Sequence, residues 1–133
     1  MDKSTQEMLQ GYLAKAKEKL RVGERLLAAG DYEDAVSRAY YAAFHSAQAL
    51  LLTEGLSADT HHGLVSLFGL HFAKTGKIDK KYGRYLSNLK EDREQGDYNV
   101  YSGLDKADAE KAVQEAKEFV AEACRYLDPY LPK

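Results

Sequence analysis

An arginine, two carboxylates and a phenol crowd into Arg93-Glu94-Gln95-Gly96-Asp97-Tyr98, just where a helical pattern runs out. Arg93 offers a planar fork of donors that matches a phosphate group. Tyr98 offers a hydroxyl and a ring on which a base can stack. Asp97 is spaced to orient an arginine, either Arg93 itself or Arg38. A second segment, Ser37-Arg38-Ala39-Tyr40-Tyr41-Ala42-Ala43-Phe44-His45, sets polar and aromatic side chains into an otherwise alanine-rich stretch. At about 100° per residue, Asp34, Arg38, Tyr41, His45 and Gln48 share one helical stripe, and Val36, Tyr40, Ala43, Ala47 and Leu50 lie opposite. A face meant only for water is filled mainly with Lys and Glu. Arg, Tyr, His and Gln at fixed spacing can instead build a hydrogen-bonded network or line a cleft. The candidate ligand-binding residues are therefore Arg38, Tyr41, His45, Arg93, Asp97 and Tyr98. The plainer alternative keeps the stripe in water and pairs Arg93 with Asp97 at a helix end.

These side chains need helices to position them, and the apolar spacing predicts five. The first runs from about Ser4 to Ala29, with Met8, Tyr12, Ala16, Leu20 and Leu27 inward and Gly30 as its stop. Asp31 is placed to cap the second, which carries Ala35, Ala39, Ala43, Ala47 and Leu50 as far as Glu54-Gly55. Asp59 or Thr60 caps a third, with Leu64, Leu67, Phe68 and Phe72 as its stripe before Thr75-Gly76. After a connection anchored by Ile78, the fourth starts near Asp79 and carries Tyr82, Tyr85, Leu86 and Leu89 to Arg93 or slightly beyond, with Gly96 marking its end. Asp105 or Asp108 caps the fifth, whose inward residues are Ala109, Ala112, Val113, Ala116, Phe119, Val120 and Cys124. No stretch alternates with period two, so the expected fold is all-α, an antiparallel up-down bundle of four to five helices within one domain spanning 1–133. The small alanine face of the second helix makes it the central element.

Composition narrows the function. A net charge of −2 argues against holding duplex nucleic acid mainly by charge. Locally the balance reverses, because residues 74–93 carry seven basic against three acidic groups and lead directly into Arg93. Lone Cys124 cannot form an internal disulfide and reads as a small packing residue. No apolar run approaches the roughly 20 residues of a membrane helix, and the start lacks the pattern of a signal peptide, so a cytoplasmic protein with no membrane association is expected. His61 and His62 are adjacent and no Glu or Asp stands at zinc-protease spacing, so no metal is expected. Both histidines read as solvent-facing in the first turn of the third helix, and His71 sits near that helix's end. No phosphate loop, dinucleotide fingerprint, GxSxG or CxxC occurs, and no cofactor is expected.

Three segments together resemble the HEPN domain family, specifically its small stand-alone prokaryotic branch. Arg38-Ala39-Tyr40-Tyr41-Ala42-Ala43-Phe44-His45-Ser46-Ala47-Gln48-Ala49-Leu50 is similar to the branch's second-helix signature. His61-His62-Gly63-Leu64-Val65-Ser66-Leu67-Phe68-Gly69 is similar to its third-helix start, and Arg93 to Tyr98 to its Arg-to-Asp-Tyr element. The resemblance implies a bundle paired as a homodimer across a two-fold axis, often encoded beside a minimal nucleotidyltransferase in a toxin-antitoxin-like couple, and binding a nucleotide or RNA. Many relatives are metal-independent ribonucleases in which an Arg is followed, a short spacing on, by a His that performs acid-base chemistry. Arg93 stands in the Arg position, but Tyr98, Asn99 and Val100 occupy the places where the His would fall. A phenol titrating at about 10 is a poor general base near neutrality. The reading is thus a nucleotide- or RNA-binding protein. One alternative is a ribonuclease toxin using Arg93 with Tyr98 or His45; the other is a protein-interaction subunit with no ligand of its own.

Overall fold

The second helix organises the rest. In the computed structural model, which describes residues 1–132, α2 (Tyr32–Leu52) packs against α1 (Lys3–Ala29), α4 (Lys80–Tyr98), α5 (Lys106–Leu127) and the short α3 (His61–Phe68). Its alanines explain this. Ala35, Ala39, Ala42, Ala43, Ala47 and Ala49 are all fully buried, and side chains that end at Cβ let several neighbouring helices approach the same axis at once. The fold is all-α, as the apolar spacing predicts, with no strand among the described residues.

The helix ends follow local chemistry, with some departures from expectation. Gly30 takes the left-handed conformation at φ 84° and closes α1. Only Asp31 separates Gly30 from α2, so α1 and α2 turn sharply back on each other. Asp31 occupies the cap position but its carboxylate accepts no capping hydrogen bond, so the turn rests on the glycine rather than on the aspartate. Thr60 caps α3, its Oγ1 accepting from the Gly63 amide at 2.8 Å. Asp105 and Asp108 cap α5 reciprocally as a capping box. On α1 the inward stripe is Leu9, Leu13 and Ala16, while Met8 is exposed. The expected register is one residue off at that end because methionine and leucine stand side by side there and only the packing against α2 chooses between them.

Two further differences bear on the site. Helix α4 does not stop at Gly96 but continues to Tyr98. Gly96 instead makes room for the chain that follows: a Cβ there would lie 3.2 Å from Leu104 and 3.7 Å from Glu33 of α2, so the returning loop packs tightly against both helices. Helix α3 runs on into a π-helical turn, Gly69–Ala73, which keeps Phe68 and Phe72 both fully buried, their rings stacked 5.7 Å apart.

The link between α2 and α3 is fastened by one amide. Gln48 is only 5 % exposed. Its Nε2 donates to the Ala58 carbonyl at 3.0 Å and its Oε1 accepts from the Ala58 amide at 3.3 Å. A bidentate side-chain amide of this kind holds an irregular segment against a helix without leaving its backbone groups unpaired. It places His61, the first residue of α3, beside the polar stripe of α2. Gln48 belongs to that stripe by spacing, and it serves as a structural clamp.

Candidate nucleotide- or RNA-binding site

Arg93 is the focus. It is 7 % exposed, a buried cation that must be compensated. Its Nη1 donates to Asp97 at 3.0 Å, one helical turn on. Its guanidinium lies over the ring of Tyr40 at 5.1 Å and over that of Tyr41 at 5.8 Å, within the range where a ring face attracts a cation. Its Nε is buried and has no partner. The helix-end pairing of Arg93 with Asp97 is therefore present, and it leaves the guanidinium with donors unpaired, the buried Nε among them.

Spacing puts Tyr40 among the core residues opposite the polar stripe. Its ring is fully buried, as that position requires, but its hydroxyl reaches out of the core to His61 Nδ1 at 2.6 Å. Burial pushes this phenol well above its usual range, so it stays protonated at any physiological pH. That hydroxyl makes no other hydrogen bond among the described residues, so a satisfied O–H donates to Nδ1 and the proton of the neutral imidazole sits on Nε2. His61 titrates below the ordinary imidazole range because of its burial, with the Arg93 and Lys90 charges adding to the effect.

His61 is the residue that sequence spacing misses. It is not a solvent-facing first-turn histidine, since its ring packs 5.1 Å from Phe44, 5.5 Å from Tyr40 and 6.0 Å from Tyr41. His62, its neighbour, is exposed as expected. The resemblance of His61-His62-Gly63 to a third-helix signature is the one available signal. Periodicity within α3 cannot show that the Gln48 clamp folds this turn onto α2.

The other candidates divide between two sides. Asp97 joins Arg93 directly. Tyr41 is half-buried and bridges the cluster, with ring centroids 6.0 Å from His61 and 6.3 Å from His45. His45 belongs to the α1 side, stacked at 6.3 Å on Tyr12, and its Nδ1 is buried without a partner. Burial and the charges of Lys15 and Lys19 hold it below the usual imidazole range. Arg38 is exposed, its Cβ near Gly23 of α1. Tyr98 is 75 % exposed at the last turn of α4, outside the ring cluster. The α2 stripe thus grades from open water at Asp34 and Arg38, through half-buried Tyr41 and His45, to buried Gln48.

Lys90 and Glu94, one turn apart on α4, form an ion pair at 2.6 Å beside this cluster. Among the described residues no group of three or more His, Cys, Asp or Glu side chains is close enough to hold a metal ion, and no helix is long and apolar enough to cross a membrane.

A helical bundle thus gathers an arginine, a histidine and two edge-packed phenols at one helix edge, and the chain belongs to the HEPN domain family, whose model matches residues 9–127. Its relatives are prokaryotic. It is 38 % identical over 120 residues to a Methanocaldococcus jannaschii protein named "Putative toxin", covering 90 % of this chain and 89 % of that one. It is 31 % identical over 115 residues to a Thermotoga maritima protein named "UPF0332 protein", covering 86 % and 87 % of the two chains. The crystal structure of a Thermus thermophilus protein superimposes with a TM-score of 0.76 at 21 % identity, covering 90 % of this chain and 98 % of that one, and shares its fold.

Proposed function

We propose that this HEPN protein binds the phosphate of a nucleotide or of RNA at the α2–α4 edge, with Arg93 as the principal contact. The observation that carries the reading is the guanidinium of Arg93, a strong charged donor whose Nη1 alone has an acceptor, Asp97 at 3.0 Å; Nη2 has none among the described residues and, unlike Nε, is not sealed from solvent. A largely buried cation is rarely left short of partners in a folded protein, because it loses water without gaining them. A phosphate oxygen supplies what is missing, and a base stacks on Tyr41 or Phe44. Asp97 orients the guanidinium. Arg38, Tyr98 and His45 lie farther out and meet the rest of a ligand only if it extends along the α2 stripe.

The toxin name of the archaeal relative supports membership of a toxin-antitoxin-like couple; a minimal nucleotidyltransferase as the partner and a homodimer of this chain as the working unit follow from the family resemblance alone. Light scattering near 14.9 kDa at micromolar concentration counts against the homodimer. Failure to co-purify with a neighbour-encoded nucleotidyltransferase counts against the couple.

Calorimetry with short RNA or a nucleoside monophosphate tests the site. Arg93→Ala is expected to weaken binding by about 1–3 kcal/mol, the scale of a lost charge-assisted contact, while the circular dichroism spectrum keeps its helical shape. Unfolding of Arg93→Ala together with normal binding by a folded Arg93→Lys assigns the arginine to structure instead.

A second reading, metal-independent RNA cleavage, is favoured by one observation: an imidazole stands beside the Arg93 cluster after all, supplied by α3 rather than by the segment after Arg93. Incubating the protein with RNA in EDTA tests it. Intact RNA at every pH from about 5 to 9, which includes the span of about 5 to 8 over which an imidazole changes charge, removes this reading.

A further inference from the structure

The site as described has one arginine and a ring platform, and His61 has so far only a place beside them. We propose that His61 is the second phosphate contact, donating from Nε2 as a neutral imidazole whose tautomer is fixed by Tyr40. This rests on the phosphate-binding reading above and assigns the residue and protonation state that read the anion.

The geometry supports each part. Tyr40 Oη and His61 Nδ1 are 2.6 Å apart, and neither atom has another hydrogen-bond partner among the described residues. The hydroxyl proton of a fully buried phenol has nowhere else to go, so Nδ1 accepts and Nε2 carries the imidazole proton. Nε2 has no hydrogen-bond partner among the described residues, yet it is not among the buried unpartnered atoms, so it is not sealed from solvent. Tyr40 is simultaneously the ring beneath Arg93, so one phenol positions both donors: its face holds the guanidinium at 5.1 Å and its hydroxyl sets the imidazole. Two donors fixed to one rigid ring form a preorganised clamp for a tetrahedral anion.

Two of the three charged neighbours act against an imidazolium here. The groups facing His61 are Tyr40, Tyr41 and Phe44 from α2, and Arg93, Lys90 and Glu94 from α4. Of the charged groups only Glu94 favours a positive ring, and it is already paired with Lys90. Protonating Nδ1 would also turn it from acceptor to donor and strand the Tyr40 proton in the core. His61 therefore meets a phosphate as a neutral hydrogen-bond donor, leaving the formal charge to Arg93.

The test uses a fluorescently labelled tetranucleotide with 2′-deoxy sugars and no terminal phosphate. Its diester charges do not titrate near neutrality, and it has no sugar hydroxyl through which to be cut. Wild-type affinity is expected to be flat from about pH 6.5 to 8.5, because no group in the clamp changes charge there. A glutamine amide nitrogen reaches the position of Nε2, so His61→Gln is expected to bind within about threefold of wild type. An asparagine reproduces the atom that faces Tyr40 but nothing that faces the ligand, so His61→Asn and His61→Ala should both lose about tenfold or more. Tyr40→Phe frees Nδ1 to take a proton, and affinity should then rise as pH falls below about 6.5.

Wild-type affinity in His61→Ala or His61→Asn overturns the assignment. So does a steady gain in wild-type affinity from pH 7.5 to 5.5, which marks an imidazolium contact. If the wild type binds the probe at no pH, the phosphate-binding reading falls with it. If Arg93→Ala abolishes binding while every His61 variant binds normally, the Arg93 site stands and only this inference fails.

Discussion

Helix α2 borders two half-buried imidazole environments that differ in one respect. At the α4 edge His61 is held by Tyr40 at 2.6 Å, beside an arginine that is itself fixed by Asp97 and two rings. At the α1 edge His45 stacks on Tyr12, but its Nδ1 has no partner and its cationic neighbours are lysines. Both rings titrate below the ordinary value, chiefly through burial. The comparison teaches that a depressed imidazole alone does not define a site. What distinguishes the α4 edge is orientation, since a tautomer fixed by a second group and a guanidinium fixed by a third present donors in one geometry.

The largest expected effect comes from loosening the element that builds the better edge. Gln48→Leu fills similar space but leaves both polar groups of Ala58 unpaired, and should cost about 2–3 kcal/mol in urea unfolding. It should also weaken nucleotide binding in the protein that remains folded, because α3 no longer carries His61 to α2. Binding that survives intact would show that the clamp does not position the site.

Exchanging damage between the two edges sharpens the contrast next. His61→Ala should lose about tenfold in binding, as a missing hydrogen bond to an anion would, whereas His45→Ala should change it by less than about twofold. Equal losses would mean the ligand spans both edges along α2, which Tyr41 is placed to bridge.

A smaller effect separates the edges by pH. For both histidines the folded value lies below the unfolded one of about 6.5, so the unfolded chain binds protons that the folded chain refuses. Their contribution to stability is intact above the unfolded value and is lost as pH falls through the lower folded values. Urea midpoints should therefore decline from about pH 7 toward pH 5, and His45→Gln and His61→Gln should each flatten part of that slope. A midpoint independent of pH over that window would remove burial as the cause.

The smallest expected change is at Tyr98, 75 % exposed. Tyr98→Ala should alter stability by less than about 0.5 kcal/mol. Weaker binding in Tyr98→Ala but not in Tyr98→Phe would identify its ring as a stacking surface for an extended ligand. No change in either would leave the α4 edge without it.

Much of this molecule can be read from residue order. Five helices, their approximate bounds, the alanine core of α2 and the caps at Thr60 and Asp105 follow from spacing and local hydrogen bonding, interactions that reach no farther than a helical turn. Arg93 as the candidate focus is legible for the same reason: an arginine, an aspartate and a phenol within about one turn announce themselves. Met8 against Leu9 is not legible, because either register is amphipathic until α2 packs on one of them. Gly96 reads as a stop although its role is to admit Leu104, a contact that exists only once the loop returns.

The sequence by itself determined the helices, and with them which side chains share a stripe, because each helix is held by bonds between near neighbours. Tertiary structure alone decided which imidazole stands with Arg93. The distance from Tyr40 to His61 is 21 positions along the chain but 2.6 Å between atoms, and it is closed by the Gln48 amide gripping Ala58. No periodicity encodes such a contact. It arises when burial of α2 forces its remaining polar groups to find partners on whatever element folds over them.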